Sequence, residues 1–123
     1  MKIDNFYFVV KDIEKSIKFY SELFEKQPTN ITGNRWADWE NENNHIYFGI
    51  ISQDASESKL ILGNNGVLGL YTDNIDKAYK KCLALKANIL YQPEEVPNSE
   101  DHYKCFAIED LDGNKIEIAY YDK

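Results

Sequence analysis

The stretch Arg35-Trp36-Ala37-Asp38-Trp39-Glu40 holds both tryptophans of the chain, interleaved with carboxylates. Indole beside carboxylate suits a planar or cationic group, because the ring stacks while the acid supplies charge and accepts hydrogen bonds. On a strand, residues three apart face opposite ways. One tryptophan is therefore expected in the core or at a dimer seam. The other is free to meet a ligand with Asp38 or Glu40 beside it, and the sequence leaves open which is which. A second candidate is Glu117, set between Ile116 and Ile118 on a predicted closing strand. Such a carboxylate is a candidate general base for proton transfer. His45 and His102 each open a predicted strand and are read as surface or hairpin residues. Cys82 and Cys105 match no CxxC spacing and are expected to be reduced, buried and hydrophobic in behaviour.

These residues need elements to hold them. Ile3 to Val10 is an apolar and aromatic run that predicts a strand, followed by a helix capped by Asp12. That helix carries the stripe Ile13, Ile17, Tyr20, Phe24 and is stopped by Pro28. Asn34 to Glu40 and His45 to Ser52 predict strands joined by the polar turn Asn41-Glu42-Asn43-Asn44, and Lys59 to Leu62 predicts a short fourth strand. Gly63-Asn64-Asn65-Gly66 is the strongest breaker. After it the order restarts: strand Val67 to Thr72, a helix capped by Asp73 with the stripe Ile75, Ala78, Tyr79, Cys82, then strands Asn88 to Tyr91, His102 to Glu109 and Lys115 to Tyr121. Shifts of about 62 and about 56 positions superpose the beginnings and the ends of the two halves, so the chain is a duplicated βαβββ unit. Neither half can bury its sheet alone, so the two are expected to pack against each other, or against another chain, to complete a core. Gln92 to Asp101 is read as a solvated, proline-bounded connection, with a lid as the alternative.

With 123 residues, 43% of them apolar, the chain suits a single domain spanning 1–123, with internal modules of about 1–63 and 66–123. No apolar run approaches the ~20 residues needed to span a bilayer, and no secretory leader is visible, so a cytoplasmic location without membrane contact is expected. Fourteen basic against 21 acidic residues give a net charge of −7. Such a chain repels a phosphate backbone, which excludes nucleic acid as a partner and favours a neutral or cationic small molecule.

The strand Phe6-Tyr7-Phe8-Val9-Val10-Lys11-Asp12, the helix pairs Phe19-Tyr20 and Leu23-Phe24, and the closing Phe106-Ala107-Ile108-Glu109-Asp110-Leu111-Asp112-Gly113-Asn114-Lys115-Ile116-Glu117 together resemble the vicinal oxygen chelate superfamily. Its glyoxalase I, extradiol dioxygenase and bleomycin-resistance groups share one scaffold. The resemblance implies an α+β fold in which two βαβββ modules form a cupped eight-stranded mixed sheet around a ligand cavity, often in a homodimer. Its enzymes carry metal donors mid first strand and on the last strand of each module. The places matched from the sequence are Asn5, Ile61, Val67 and Glu117, a set too poor for a divalent ion, so neither a metal nor another cofactor is expected. With Asn5 and Glu117 inward, alternation places Tyr7, Val9, Val67, Gly69, Tyr71 and Ala119 on the same face, and turns Phe6, Phe8, Leu68, Leu70, Ile116 and Ile118 to the helices.

The expected ligand-binding residues are thus Asn5, Tyr7, Trp36, Asp38, Trp39, Val67, Tyr71 and Glu117. The favoured function is metal-independent binding of a small apolar or cationic molecule by a homodimer, resembling drug sequestration by bleomycin-resistance proteins and hence antibiotic resistance. The alternative is a glyoxalase-like lyase or isomerase, or a dioxygenase-type enzyme, with Glu117 as catalytic base with or without a divalent metal. A third is a regulatory or assembly subunit with a vestigial cup.

Overall fold

The computed structural model describes residues 3–55, 62–63 and 66–122. The chain divides into two compact units, Met1–Asn65 and Gly66–Lys123. The first contains β1 (Asn5–Val10), α1 (Ile13–Phe24), β2 (Asn30–Thr32), β3 (Trp36–Glu40) and β4 (Tyr47–Ser52), then a single 3₁₀ turn at Gln53–Ala55. Its four-stranded sheet has the order β1-β4-β3-β2, with β1 parallel to β4 and the other pairs antiparallel. The second contains β5 (Val67–Tyr71), α2 (Ile75–Ala84), β6 (Asn88–Glu95), β7 (Lys104–Glu109) and β8 (Lys115–Tyr120), in the order β5-β8-β7-β6 with the same senses. Each unit is therefore a βαβββ module.

The first helix begins where the sequence expects it: Asp12 is extended, and its carboxylate accepts from the Lys15 N–H at 3.1 Å. It ends at Phe24, before Pro28, because Glu25 turns left-handed at φ 54. The second helix is capped by Asn74 rather than Asp73, with the Asn74 amide oxygen accepting from the Lys77 N–H at 3.0 Å. The core of the first unit is aromatic. Tyr20 and Phe24 of α1 meet Phe48 at 4.9 and 5.7 Å and Trp39 at 5.9 and 5.5 Å, while Phe8 meets Phe48 at 5.6 Å. In the second unit Tyr79 of α2 stands edge-on to Phe106, above the buried Ile108, Ile116 and Ile118.

Three strand expectations need correction. Asn30–Thr32 is a strand that the sequence reading assigned to no element; all three residues are exposed, so no hydrophobic alternation marks them. In the expected strand Lys59 to Leu62, Lys59 to Ile61 lie outside the described residues, and Leu62 sits in a turn. The closing strand of the first module is instead β4, which pairs with β1 as β8 pairs with β5. The two module ends are therefore related by a shift of 115 − 47 = 68 positions, not 56. Finally, β6 runs on to Glu95, so Gln92 to Glu95 belong to the sheet rather than to a free connection.

Candidate binding faces

In the first unit, the contacts of Trp39 and Phe48 with α1 define the helix side of the sheet. Alternation then places Asn5 and Tyr7, Tyr47 and Gly49, Trp36 and Asp38, and Asn30 on the opposite side. The register aligns Tyr7, Gly49, Asp38 and Asn30 in one row across the four strands. Gly49 is a steric necessity: a Cβ there would lie inside contact distance of Cη2 and Cζ2 of Trp36, whose ring folds across the glycine and meets Tyr7 edge-on at 5.5 Å. The indole Nε1–H donates to Asp38 Oδ2 at 2.7 Å, and the Asn30 amide donates to Asp38 Oδ1 at 2.9 Å. Asp38 is only 8% exposed, yet both its oxygens are satisfied. Beside this pair opens a pocket of about 190 Å³ lined by Asp4, Asn5, Asn30, Trp36, Asp38 and Tyr47. Its field is negative: Glu40 foremost, then partial burial, Asp38 and Asp4, hold the Tyr47 phenol above its usual pKa.

The structure thus brings together Asn5, Tyr7, Trp36 and Asp38, and it separates Trp39 from them. Trp39 is 4% exposed on the helix side, and its indole N–H donates to the Lys26 carbonyl at 3.0 Å, so it is a core residue with no face for a ligand. Asp4, Asn30 and Tyr47 were missed. Asn30 lies on the strand that no pattern reveals, and Tyr47 reaches the pocket only through its register with Asn5.

In the second unit the row that corresponds to Tyr7-Gly49-Asp38-Asn30 is Gly69-Glu117-Ala107-Tyr91. The half-buried Glu117 accepts a hydrogen bond from the Tyr103 hydroxyl at 2.7 Å. That bond, then burial and the charge of Glu117, raise the Tyr103 pKa, so the phenol keeps its proton. Tyr121 stacks on Tyr103 at 5.7 Å and meets Tyr71 at 5.0 Å. Val67 and Tyr71 flank Gly69 on the same face and are 55% and 41% exposed. Tyr103 and Tyr121 fall inside the expected strands His102 to Glu109 and Lys115 to Tyr121 but were not among the expected site residues; Tyr121 lies an even step from Glu117, whereas Tyr103 joins the face only through the register of β7 with β8.

The remaining candidates serve structure. His45 and His102 occupy left-handed turn positions, φ 55 and 51, and are bonded to Glu40 and Asp122 respectively. Cys82 is buried, and that burial pushes its thiol up to about 11; Cys105 is also raised, chiefly by burial. In the Asp110-Leu111-Asp112-Gly113-Asn114 turn, Asp110 Oδ1 accepts from the N–H groups of Asp112 and Asn114 at 2.8 and 2.9 Å, and Oδ2 accepts from the Asn114 amide at 2.9 Å. The motif is a buried hairpin clasp, and Gly113 supplies its φ of 81.

Register also revises the metal test. The first module's counterpart of Glu117 is Gly49, the third residue of the last strand opposite the third residue of the first strand, and not Ile61, which lies outside the described residues. In the first unit Asn5 and Gly49 offer one amide, with the Trp36 ring in the space where a side chain at position 49 would stand, and in the second Val67 and Glu117 offer one carboxylate. Among the described residues no group of three or more His, Cys, Asp or Glu converges. These residues do not fit a divalent ion.

A duplicated βαβββ unit with an open sheet face in each half defines a known class. The sequence model of the Glyoxalase/Bleomycin resistance protein/Dioxygenase superfamily matches residues 2–118, and the chain belongs to that superfamily. Similar solved structures include a virulence protein from Salmonella typhimurium, 25% identical with TM-score 0.76, covering 98% of this chain and 97% of that one. A protein from Agrobacterium tumefaciens is 16% identical with TM-score 0.78, covering 100% and 99%. A superfamily member from Sphaerobacter thermophilus is 20% identical with TM-score 0.75, covering 98% and 97%. No curated protein sequence matches the chain.

Proposed function

We propose that this protein binds a small, apolar or cationic organic molecule without a resident metal ion, and that it acts by sequestration in the manner of bleomycin-resistance proteins. One observation carries the reading. Where the first module would place a donor carboxylate, Gly49 lies under the Trp36 indole, and the ring is held by Asp38 at the edge of an acidic pocket. That arrangement trades metal coordination for an aromatic wall beside an oriented acid, the lining expected of a ligand site. A homodimer is part of this reading, and the acidic balance supports a partner that is not a nucleic acid. No helix among the described residues is long and apolar enough to cross a membrane, in keeping with a cytoplasmic role.

The test is a panel of small organic amines followed through the two indole N–H signals in ¹⁵N–¹H NMR, with native mass spectrometry and elemental analysis of the untreated protein. The expected result is a metal-free dimer in which binders shift the Trp36 signal and leave Trp39 in place, and in which Trp36→Ala abolishes binding. Stoichiometric metal, or binding indifferent to Trp36→Ala, would overturn the reading.

A further inference from the structure

Among the described residues one buried side-chain polar atom has no hydrogen-bond partner, the hydroxyl oxygen of Ser21 on α1. Ser21 is 8% exposed. Folds normally avoid the cost of an unpaired buried hydroxyl, so this one asks for a partner. Ser21 also lines a pocket of about 340 Å³, a volume within the range of small-molecule sites. The pocket lies on the helix that covers the other side of the sheet from Trp36, and no step of the reading above uses it.

Steps of three and four residues along α1 put Glu14, Ile17, Lys18, Ser21 and Glu22 on one flank of the helix. The half-buried Ile17 and the buried Ser21 form the floor, and the exposed Glu14, Lys18 and Glu22 form the rim. Gln27 closes the pocket from the segment that follows the helix. That segment is tied down on both sides of Gln27. The Lys26 N–H donates to the Ser21 carbonyl at 3.1 Å, the Lys26 carbonyl accepts from the Trp39 indole at 3.0 Å, and the Thr29 N–H donates to the Asp38 carbonyl at 2.7 Å. The wall that carries Gln27 is therefore preformed. Among the described residues no ion pair or side-chain hydrogen bond engages Glu14, Lys18, Glu22 or Gln27, so the rim's donors and acceptors are left for an occupant.

The lining selects the occupant's chemistry. An anion offers acceptors only, and it would face two carboxylates with a single ammonium to hold it. A simple cation offers donors only, and it would leave Lys18 without an acceptor. A neutral molecule dense in hydroxyls meets neither conflict. Its hydroxyls donate to Glu14 and Glu22, accept from Lys18, and exchange bonds in both directions with the Gln27 amide and the Ser21 hydroxyl. Its C–H face rests on Ile17. We infer that this α1 pocket is a recognition site for a neutral polyhydroxylated ring, a monosaccharide or cyclitol, one of whose hydroxyls completes the hydrogen bonding of Ser21. The inference is independent of the sequestration reading, since it concerns a different face of the first unit and ligands that carry no amine.

The test is an NMR titration of the whole chain with glucose and with myo-inositol, and with glucuronate as the same ring bearing a negative charge. At least one of the two neutral rings is expected to shift the amides of Ile17, Ser21 and Gln27 saturably, and glucuronate to bind several-fold more weakly than glucose. Ser21→Ala should weaken binding of the neutral ring by about fivefold, and Gln27→Ala by a similar factor, while Trp36→Ala leaves it unchanged. Without ligand, Ser21→Ala removes an unpaired group and should melt no lower than the parent chain. A clear fall in its Tm would show that the hydroxyl is already partnered in the free protein and would overturn the inference. So would the absence of saturable shifts at Ser21 with both neutral rings, undiminished binding in Ser21→Ala, or equal binding of glucuronate. None of these outcomes bears on the amine panel read at Trp36, and failure of that panel leaves this pocket standing.

Discussion

Replacing Gly49 with alanine puts a methyl group into the Trp36 ring, so a change that would normally stabilise a strand slightly becomes overpacking. Gly49→Ala should cost about 1–3 kcal/mol of unfolding free energy in urea. In a Trp36→Ala background the same change should cost almost nothing, which makes the coupling of the pair measurable as a double-mutant cycle. Asp38→Asn probes the other side of the indole. Both Asp38 oxygens accept hydrogen bonds, and an amide can offer only one oxygen, so a buried donor loses its partner at about 1–3 kcal/mol, read from the same urea curves. The tyrosines of the second unit fix a limit at high pH. Tyr103 is raised by the Glu117 hydrogen bond, and Tyr91 is raised by burial to about 12. A phenol whose folded pKa lies above the unfolded value of about 10 stabilises the fold fully below that value, and the contribution is lost as pH climbs toward the folded pKa. Absorbance titration should therefore find these two phenols among the last to ionise, with stability falling above about pH 10. Tyr103→Phe should soften that fall.

At the scale of elements, the connection between β6 and β7 is closed by its own bonds. The N–H of Val96 donates to the Tyr103 carbonyl at 2.7 Å, and the Ser99 hydroxyl both donates to the Val96 carbonyl and accepts from the Tyr103 N–H, each at 2.9 Å. The Asp122 N–H then donates to the Asp101 carbonyl at 2.8 Å, and its carboxylate bonds His102 at 2.7 Å and the Tyr120 hydroxyl at 2.9 Å. Asp122 raises the His102 pKa, and His102 foremost lowers that of Asp122. The His102 contribution is complete below the unfolded histidine pKa and is lost as pH rises through the folded one. The Asp122 contribution is complete above the unfolded carboxylate value and is lost as pH falls through the folded one. Histidine NMR should show His102 titrating above an ordinary histidine, and Asp122→Asn should return it toward the usual value. Elements of this kind were legible to differing degrees. Both helices could be read from their stripes, and the first helix's cap was also legible from its sequence. The strand Asn30–Thr32, three exposed residues paired on one side only, left no such trace. Without it the closing strand of the first module was assigned one element too late, and Gly49 was hidden behind Ile61. Opposite facing of the tryptophans followed from spacing alone, but which one faced α1 depended on where Tyr20 and Phe24 lay.

Across the whole molecule, duplication has kept the βαβββ frame and moved the chemistry. In the matching rows, the acid stands on the third strand of the first module, as Asp38, and on the closing strand of the second, as Glu117. The glycine shifts as well, from the closing strand at Gly49 to the opening strand at Gly69. Equivalent places therefore no longer carry equivalent side chains, and the proposed absence of a resident metal follows from that difference. Thermal unfolding gives this a quantitative form. A divalent ion held at a hundred times its Kd adds about 2.7 kcal/mol to the folded state, which for a chain of this length raises Tm by about 10 °C. Addition of zinc, nickel or manganese, or their removal by EDTA, is expected to leave Tm unchanged to within about 1 °C, far below what specific occupancy would produce. A rise toward the larger figure, reversed by EDTA, would show that Glu117 recruits donors beyond those the register aligns with it. A small organic cation obeys the same linkage: it should raise Tm as its concentration passes Kd, and less so at high salt, where a chain of net charge −7 loses part of its attraction for it.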